Sequence, residues 1–403
     1  MVFPSYWARE KKTGWKEGDA VYDHPIPIDE EGTLLRALRS LTILRNRDFT
    51  VLVLAVPTTE EIAEDVEKKV DGIVREASKE VEIPIKWFGP THLKRLHDTI
   101  GEEEGVDLLQ LRGYSNVRNL CIFLPLLMGS EIAILIDDDE VFEDPDFVDK
   151  AVEFVGRKDE KGNTIYAVAG YYLQPDGDFH VKKPFEPWMK YWDQLERMNE
   201  AFDRFIGAPP RLKETPFVFG GNMVLHREII KKVPFDPLVP RGEDIDYLMN
   251  ARMFGFKFFL DNTLSIKHLP PPKTHPVWRR LREDVFRFMF EREKIRKQRD
   301  LPGLTRIEAE DFDPYPGAFL KDDLEWKVEQ ASRVLEEIYE KEGDVEGARE
   351  ARATVFLMRK ALREGKRNPF EDLLNLQRKW SLLTERVIEG SFRVDVSDMG
   401  GGV

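Results

Sequence analysis

Four consecutive acidic residues, at positions 137–140, follow an apolar run at 132–136 in the middle of the chain. The run has the pattern of a strand buried on both faces, as in a parallel sheet. Open α/β sheets bind ligands at the carboxyl ends of such strands. Carboxylates about 4 Å apart repel each other by ~1 kcal/mol in water and ~4 kcal/mol near a protein surface, so this cluster favours a divalent cation. An acidic helix start, with Pro145 in the first turn, is the structural alternative.

Three further polar motifs follow later in the chain: GGN at 220–222, GED at 242–244 and a histidine at 268. Glycines allow a backbone to approach a ligand closely. The acidic pair of the second motif begins a predicted helix, whose N-terminus stabilises carboxylates. Helix capping by Glu243 and Asp244, and an ordinary loop role for His268, are the structural alternatives. Only the order and spacing of the motifs make them informative.

The elements between these motifs alternate between strand and helix. A strand at 20–28 ends in a loop with Pro25 and Pro27, and a helix follows from residue 30. Further strands are predicted at 49–56, 83–88, 132–136 and 164–174, with helices at 58–80, 91–106 and directly before the acidic strand. This alternation predicts a doubly wound, mostly parallel α/β sheet.

The last third of the chain has a different character. A basic helix from residue 277 and a Pro/Gly-rich linker at 302–317 precede three helices predicted at 321–341, 344–363 and 369–388. The first of these has an apolar stripe at three- and four-residue spacing. We predict that the helices form a hairpin or small bundle docked on the preceding domain or on a second subunit.

The composition excludes some functions. A net charge of −14 argues against nonspecific nucleic-acid binding, which requires neutralisation of phosphates. The single Cys121 lies in an apolar segment and cannot form an internal disulfide, which predicts a reducing, cytoplasmic location. No signal peptide is evident, and the longest apolar run, 120–136, is a predicted helix and strand rather than a membrane span. Charged residues make up 34% of the chain, consistent with heat adaptation.

The order of the motifs resembles the nucleotide-sugar glycosyltransferases of the GT-A fold, of the family-2 type, over roughly residues 20–275. In that family a PxxNEE-like loop and helix come first, followed by an ARN-like helix, a DxD motif, a GGN loop, a GED helix and a histidine after the last strand. The corresponding segments of this chain are 25–41, 116–119, Asp137 with Asp139, 220–222, 242–244 and His268.

The resemblance implies a role for each matching residue. Asp244 would be the catalytic base of an inverting transferase, with Glu243 orienting the acceptor. Mn²⁺ or Mg²⁺ would be bound by Asp137, Asp139 and His268, and the histidine favours Mn²⁺. The donor would be UDP- or GDP-linked. Its expected contacts are Pro25, Pro27, Asp29, Glu30, Arg118, Asp137, Asp138, Gly220, Gly221, Asn222 and Lys273.

Two departures from the family pattern lie in the expected nucleotide pocket. The segment AVPTTEE after the strand at 49–56 has no Asp where the family usually has one, and Asp29 stands where Asn is common. The identity of the base therefore stays open. A loop with Lys273, Arg279 and Arg280 is hypothesised to close over the pyrophosphate. Aromatic residues at 188–192 could stack on an acceptor sugar, although such rings more often pack in cores.

The expected domains follow from these assignments. They are an N-terminal strap (1–19), a GT-A catalytic domain (20–276), a basic helix with linker (277–317) and a C-terminal helical region (318–403). The catalytic domain divides into a nucleotide-sugar half (20–145) and an acceptor half (146–276). The acceptor is unknown, and the C-terminal helices could mediate a homodimer.

Two other functions remain open. One is a retaining GT-A synthase of a small glycoside such as mannosylglycerate or glucosyl-phosphoglycerate. The other is a non-catalytic sugar-binding protein on the same scaffold.

Overall fold

The computed structural model describes residues 1–11, 22, 25–239, 241–271, 275–365, 367–390 and 399–402. In this part of the chain one mixed sheet of eleven strands is flanked by helices, so the predicted α/β class is confirmed. The strands are β1 Val2–Ala8, β2 Ile26–Pro27, β3 Val51–Pro57, β4 Ile85–Phe88, β5 Ile132–Leu135, β6 Glu140–Val141, β7 Ala167–Leu173, β8 Leu212–Glu214, β9 Met223–His226, β10 Phe258–His268 and β11 Gly400–Gly402.

The two halves of the sheet differ in strand direction. The spatial order is β11-β4-β3-β1-β5-β9-β7-β10-β6, with β2 beside β1 and β8 beside β10. Strands β4, β3, β1 and β5 are parallel, as predicted for the nucleotide-side half. Strand β9 is antiparallel to both β5 and β7. Because β1 and β5 are parallel neighbours, their carboxyl ends meet at one edge of the sheet, next to the acidic residues.

The predicted N-terminal strap is wrong over Val2–Ala8, which form a central strand between β3 and β5. This strand is buried on both faces, so its sequence lacks the alternation that identifies a half-exposed strand. The strand predicted at 20–28 is reduced to Ile26–Pro27, which pairs with Trp7 and Ala8. Residues 20, 21, 23 and 24 of that prediction lie outside the described residues.

Helices cover both faces of the sheet, and the alternating side chains of β3 enter two separate cores. One core lies against the helices that begin at Leu34, Ala63 and Phe147, and the other lies against those that begin at Tyr114 and Glu243 and the C-terminal helices. The helices are α1 Leu34–Ser40, α2 Ala63–Ala77, α3 Pro90–Ile100, α4 Tyr114–Leu127, α5 Phe147–Glu153, α6 Gln194–Phe202, α7 Arg227–Ile230, α8 Glu243–Met253, α9 Val277–Lys297, α10 Leu324–Glu342, α11 Val345–Glu364 and α12 Pro369–Ile388.

The three C-terminal helices begin and end within a few residues of their predicted positions, and they dock on the same chain. The stripe of α10 is buried from Leu324 to Leu335. In α12, the Trp380 indole donates to the Ile230 carbonyl at 2.7 Å, and its ring packs edge-on against Phe123. The predicted docking of the helices on the preceding part of the chain is confirmed, and it explains the apolar stripe of α10. The homodimer stays a prediction. None of the helices in the described ranges has the length and apolarity required to cross a bilayer.

Candidate active site

A cleft of about 310 Å³ lies at the carboxyl ends of β1 and β5. This volume is in the range of small-molecule sites. The cleft brings together residues from Pro4 to Pro271, which lie far apart in sequence. The predicted site residues that line it are Arg118, Asp137, Asp138, Asp139, Gly220, Glu243, Asp244 and His268.

The acidic turn after β5 is largely buried. The Ser5 hydroxyl donates to Asp138 Oδ2 at 2.5 Å, and burial, with the neighbouring Asp139, raises the pKa of Asp138 to about 8. Glu140 Oε2 accepts from the Asp137 amide at 3.0 Å, whereas its buried Oε1 has no hydrogen-bond partner among the described residues. Burial, and then Asp137 and Asp139, raise the pKa of Glu140 well above its usual value. The protein environment alone therefore does not stabilise the charged forms of Asp138 and Glu140.

Gly220 lines the cleft, as predicted, whereas Gly221 lies against the carboxylates of the acidic turn. A Cβ atom at Gly221 would collide with Glu140 Oε1 and Asp137 Oδ2, so a larger residue here would displace these carboxylates. Asn222 is fully buried and donates to the Tyr171 and Leu264 carbonyls at 3.2 and 3.1 Å. It bridges β7 and β10 where their register shifts. In this arrangement Asn222 cannot make the predicted contact with a sugar in the cleft.

Asp139 and His268 form the pair best suited to a metal ion. The His268 Nε2 atom lies 3.3 Å from Asp139 Oδ2, because antiparallel pairing of β10 with β6 places His268 opposite Glu140. The Tyr172 ring stacks on the imidazole at 4.8 Å between centroids and so holds its orientation. Imidazole and carboxylate together suit Mn²⁺ better than Mg²⁺.

Asp137 pairs with Arg118 and does not form a group of three with Asp139 and His268. Its Oδ1 accepts from Arg118 Nη2 at 2.7 Å. No group of three His, Cys, Asp or Glu side chains within the described ranges is arranged to hold a metal ion. The predicted trio is thus reduced here to Asp139 and His268, which fit a divalent ion only if a ligand or water supplies the remaining oxygens.

Arg118 connects the acidic turn to the GED motif. It lies near the start of α4, is 4% exposed, and donates from Nη2 to Asp137 and from Nε to Glu243 Oε1 at 3.3 Å. Its buried Nη1 has no hydrogen-bond acceptor in the described part of the chain. Because Arg118 lines the cleft, this nitrogen is available to a bound phosphate or hydroxyl oxygen.

The start of α8 presents Asp244 to the cleft. Gly242 has a φ of +72°, a conformation that favours glycine, and the helix begins at the next residue. Asp244 accepts from the Gly220 amide at 3.1 Å and from the Ile245 amide at 2.8 Å. Burial raises the pKa of Asp244. Burial and the neighbouring Asp244 raise the pKa of Glu243 to about 7.

The third carboxylate of this helix has a different role. Asp246 is fully buried on the far side of α8 and pairs with the buried ammonium of Lys294 from α9 at 2.5 Å. From sequence, Asp246 was as well placed as Asp244 to cap the helix. The structure gives Asp246 an internal ion pair and leaves Asp244 in the cleft.

None of the four predicted contacts of the first loop lines the cleft; they are Pro25, Pro27, Asp29 and Glu30. Asp29 and Glu30 are exposed and bind the Lys11 amide and ammonium at 3.0 and 2.8 Å. Ile26 lines the cleft instead. Lys273 lies outside the described residues, so the loop-closure hypothesis stays a prediction.

The aromatic segment at 188–192 packs in the core. Trp188 and Trp192 are 8% and 2% exposed. The Trp192 ring lies 4.8 Å from Phe319, next to the C-terminal helices. Trp192 is therefore not free to stack on an acceptor sugar.

Besides Tyr172, three tyrosines that line the cleft were not predicted: Tyr6, Tyr22 and Tyr114. Their ring centroids lie 4.3 to 5.6 Å apart, and the Tyr22 hydroxyl accepts from the Gly113 amide at 3.0 Å. The buried Tyr6 hydroxyl has no partner among the described residues. Tyr114 could have been found from its position one helical turn before Arg118, whereas Tyr6 was obscured by the strap assignment.

No protein-family model and no curated protein matches the chain. The solved structures that are similar to it include the following two. One is the mannosyltransferase PcManGT from Pyrobaculum calidifontis in complex with GDP-Man and Mn²⁺, with a TM-score of 0.45, 15% identity, and coverage of 96% of this chain and 86% of that chain. The other is a mycobacterial protein, with a TM-score of 0.37, 13% identity and 72% of each chain covered. Similarity at this level does not assign a function.

Proposed function

We propose that this chain is a metal-dependent glycosyltransferase that moves a sugar from a nucleotide-diphosphate donor to an acceptor hydroxyl with inversion. One observation carries the proposal. A single cleft contains a candidate metal-binding pair, Asp139 with His268, a buried arginine with an unused donor, Arg118, and a buried carboxylate at a helix start, Asp244.

The donor diphosphate would lie between Arg118 and the Asp139–His268 pair. The guanidinium pairs with Asp137 and Glu243, and its Nη1, which has no acceptor among the described residues, would donate to a phosphate oxygen. A divalent ion bound there would offset the charge that develops on the leaving diphosphate. A cation at this edge would stabilise the charged forms of Asp138 and Glu140, which the protein alone does not, and the Glu140 Oε1 atom without a hydrogen-bond partner among the described residues supports this position.

Asp244 would act as the general base. Its carboxylate would take the proton of the acceptor hydroxyl while that oxygen bonds to the anomeric carbon, and the bond from this carbon to the diphosphate would break with its electron pair leaving on the phosphate oxygen. Two backbone amides fix the orientation of the carboxylate. Its raised pKa strengthens it as a base, which is a common device in general-base catalysis.

Ligand-induced stabilisation tests the donor and metal sites. We expect GDP or UDP to raise the melting temperature in the presence of Mn²⁺ but little without it, because ligands that bind the native state stabilise it. Asp139→Ala should abolish the part of this increase in melting temperature that depends on Mn²⁺. Glu143→Ala is the matched control, since Glu143 is a nearby exposed carboxylate paired with Lys267. An equal response of Asp139→Ala and the unaltered chain to Mn²⁺ and nucleotide would contradict the metal assignment.

The product distinguishes the mechanisms. NMR of the product formed from UDP- and GDP-linked hexoses reports the anomeric configuration, and Asp244 as base requires inversion. Retention would instead support a retaining synthase. Nucleotide binding with neither transfer nor donor hydrolysis in Mn²⁺ would support a sugar-binding protein.

A further inference from the structure

Two aromatic rings line the cleft between the candidate metal pair and the candidate base. They are Phe219 and Tyr172, and their ring centroids lie 4.6 Å apart. The Tyr172 ring also stacks on the imidazole of His268 at 4.8 Å. Phe219 directly precedes Gly220, whose amide donates to Asp244 at 3.1 Å. These two rings therefore form an aromatic wall that extends from the metal pair to the base.

The Phe219 ring has a fixed orientation although it is only partly buried. Its centroid lies 5.3 Å from that of Phe202 and 5.7 Å from that of Phe217, and both of these rings are buried. The neighbouring Tyr172 is fixed as well, because its hydroxyl accepts from the Gly221 amide at 2.8 Å. Phe219 thus offers the cleft an oriented apolar surface without hydrogen-bonding groups.

The chemistry of this surface limits what can bind against it. One face of a pyranose consists mainly of C–H groups, and stacking that face on a flat ring removes apolar area from water. A phosphate or carboxylate would gain no hydrogen bond from Phe219 and would be repelled by the nearby carboxylate of Asp244. The aromatic wall therefore favours a neutral sugar ring over a small anionic hydroxy acid.

We propose that the acceptor is a neutral glycoside whose pyranose ring stacks on Phe219 while one of its hydroxyls reaches Asp244. This inference rests on the proposed transferase function and names its acceptor class. The donor diphosphate would lie at Arg118 and the metal pair, whereas Phe219 adjoins the glycine that contacts the base. The stacking surface that was predicted at 188–192 is thus assigned to Phe219.

The test measures the binding of methyl glucoside, methyl galactoside and methyl mannoside, each compared with its open-chain alditol, which has no ring face. Isothermal titration is done on the full chain with Mn²⁺ and whichever of GDP and UDP raises its melting temperature, so that the diphosphate site is filled. We expect at least one pyranoside to bind about tenfold more tightly than its alditol, which must also lose more conformational freedom.

Substitutions at the ring then locate this binding. Phe219→Leu removes the flat ring and should weaken binding of the pyranoside about fivefold, with the Kd of the nucleotide unchanged. Phe219→Tyr keeps the ring and should bind the pyranoside as the unaltered chain does. Phe205→Leu is the control, because Phe205 belongs to the same aromatic group, 5.8 Å from Phe217, but does not line the cleft. It should leave pyranoside binding unchanged.

Three results would overturn the proposal. They are equal affinity for every pyranoside and its alditol, equal pyranoside binding by Phe219→Leu and the unaltered chain, and displacement of the pyranoside by a nucleotide-linked hexose but not by the nucleotide alone. The last result would place the ring under the donor sugar. Failure of the transferase function would appear separately, as the lack of a Mn²⁺-dependent response to either nucleotide. Titration of the chain without nucleotide would then still decide whether Phe219 binds a pyranose.

Discussion

Asp244 and Asp246 are two residues apart on one helix, yet their environments assign them different tasks. Asp244 lies in the cleft with two amide donors, and Asp246 lies beneath the helix with Lys294. Their carboxylates are chemically identical, so the difference comes only from the helical period, which turns the two side chains to opposite sides.

Asp244→Asn should lower kcat by about 10²–10⁴-fold with little change in donor affinity, because it removes a general base but keeps the shape of the side chain. The measurement is steady-state transfer together with nucleotide titration. Asp246→Asn is the contrasting variant, since it breaks a buried ion pair. It should lower the melting temperature more than Asp244→Asn does. If Asp244→Asn retained full kcat, another group would have to be the base.

The pH dependence follows from the same burial. A base must be deprotonated to act, and burial raises the pKa of Asp244, while burial and Asp244 raise that of Glu243 to about 7. We therefore expect kcat/KM to fall, as the pH is lowered, at a pH above the range in which an exposed carboxylate titrates. For an exposed carboxylate this fall would come near pH 4. A profile that stays flat down to pH 5 would contradict the assignment.

Helix α9 contacts the start of α8, which carries the candidate base. Its buried Arg287 contacts Gly242, where a Cβ atom would collide with the guanidinium, and it binds Asp284 and the Tyr315 hydroxyl at 3.1 Å. The positive charge of Arg287 lowers the pKa of Asp244, opposing the effect of burial. Residues predicted as a basic helix leading into a linker are thus part of the support of the candidate base.

Arg287→Met should raise the pKa of Asp244 further and so move the acidic limb of the kcat/KM profile to higher pH. A purely structural role would lower activity at all pH values without moving the limb. Arg282→Met is the control on the same helix, because Arg282 pairs with Glu350 on the side of α11. The kcat/KM profile of Arg282→Met should have its acidic limb at the same pH as that of the unaltered chain.

Lys294 of the same helix stabilises the fold. Its ammonium is fully buried and contacts Asp246, Asn250 and Asp236. Lys294→Met leaves two buried carboxylates without a counter-charge and should lower the free energy of unfolding by ~3–5 kcal/mol. Lys297→Met, one turn away and partly exposed, should cost less than ~1 kcal/mol. Urea unfolding measures both, and equal losses would contradict the role given to the buried pair.

The C-terminal helices belong to the main core rather than to a separate unit. Their apolar faces share one cluster with α4, α8 and the sheet. We expect the chain to unfold in one transition, because a bundle that shares its core with the catalytic part cannot open without exposing that core.

Two tryptophans test this expectation. Trp380→Ala in α12 removes a fully buried ring and its bond to Ile230, and should cost ~3–5 kcal/mol. Trp326→Ala in α10 removes a ring that is 55% exposed and should cost much less. Calorimetry measures both variants. Two separate transitions, with the Trp380 variant affecting only one, would contradict a shared core.

Local pattern was sufficient for much of the fold. The helices α10, α11 and α12 were predictable because amphipathic spacing and capping residues act over a few turns. The strand β3 was predictable because a short apolar run bounded by polar residues has few alternatives. Strand β1 was not, since Trp7 and Phe3 are buried on one face and Val2 on the other, which removes the period of two.

For the candidate site, the sequence alone determined the inventory: the acidic turn after β5, the acidic pair at the start of α8 and the histidine ending β10. These are adjacent in sequence or end a recognisable element, so local pattern reveals them. Tertiary structure alone decided their partners. The pairing of β5 with β9 places Gly221 against Glu140, and the packing of α4 directs Arg118 at both Asp137 and Glu243. Contacts between segments far apart in the chain depend on strand register and helix packing, which leave no signature in the sequence of either segment.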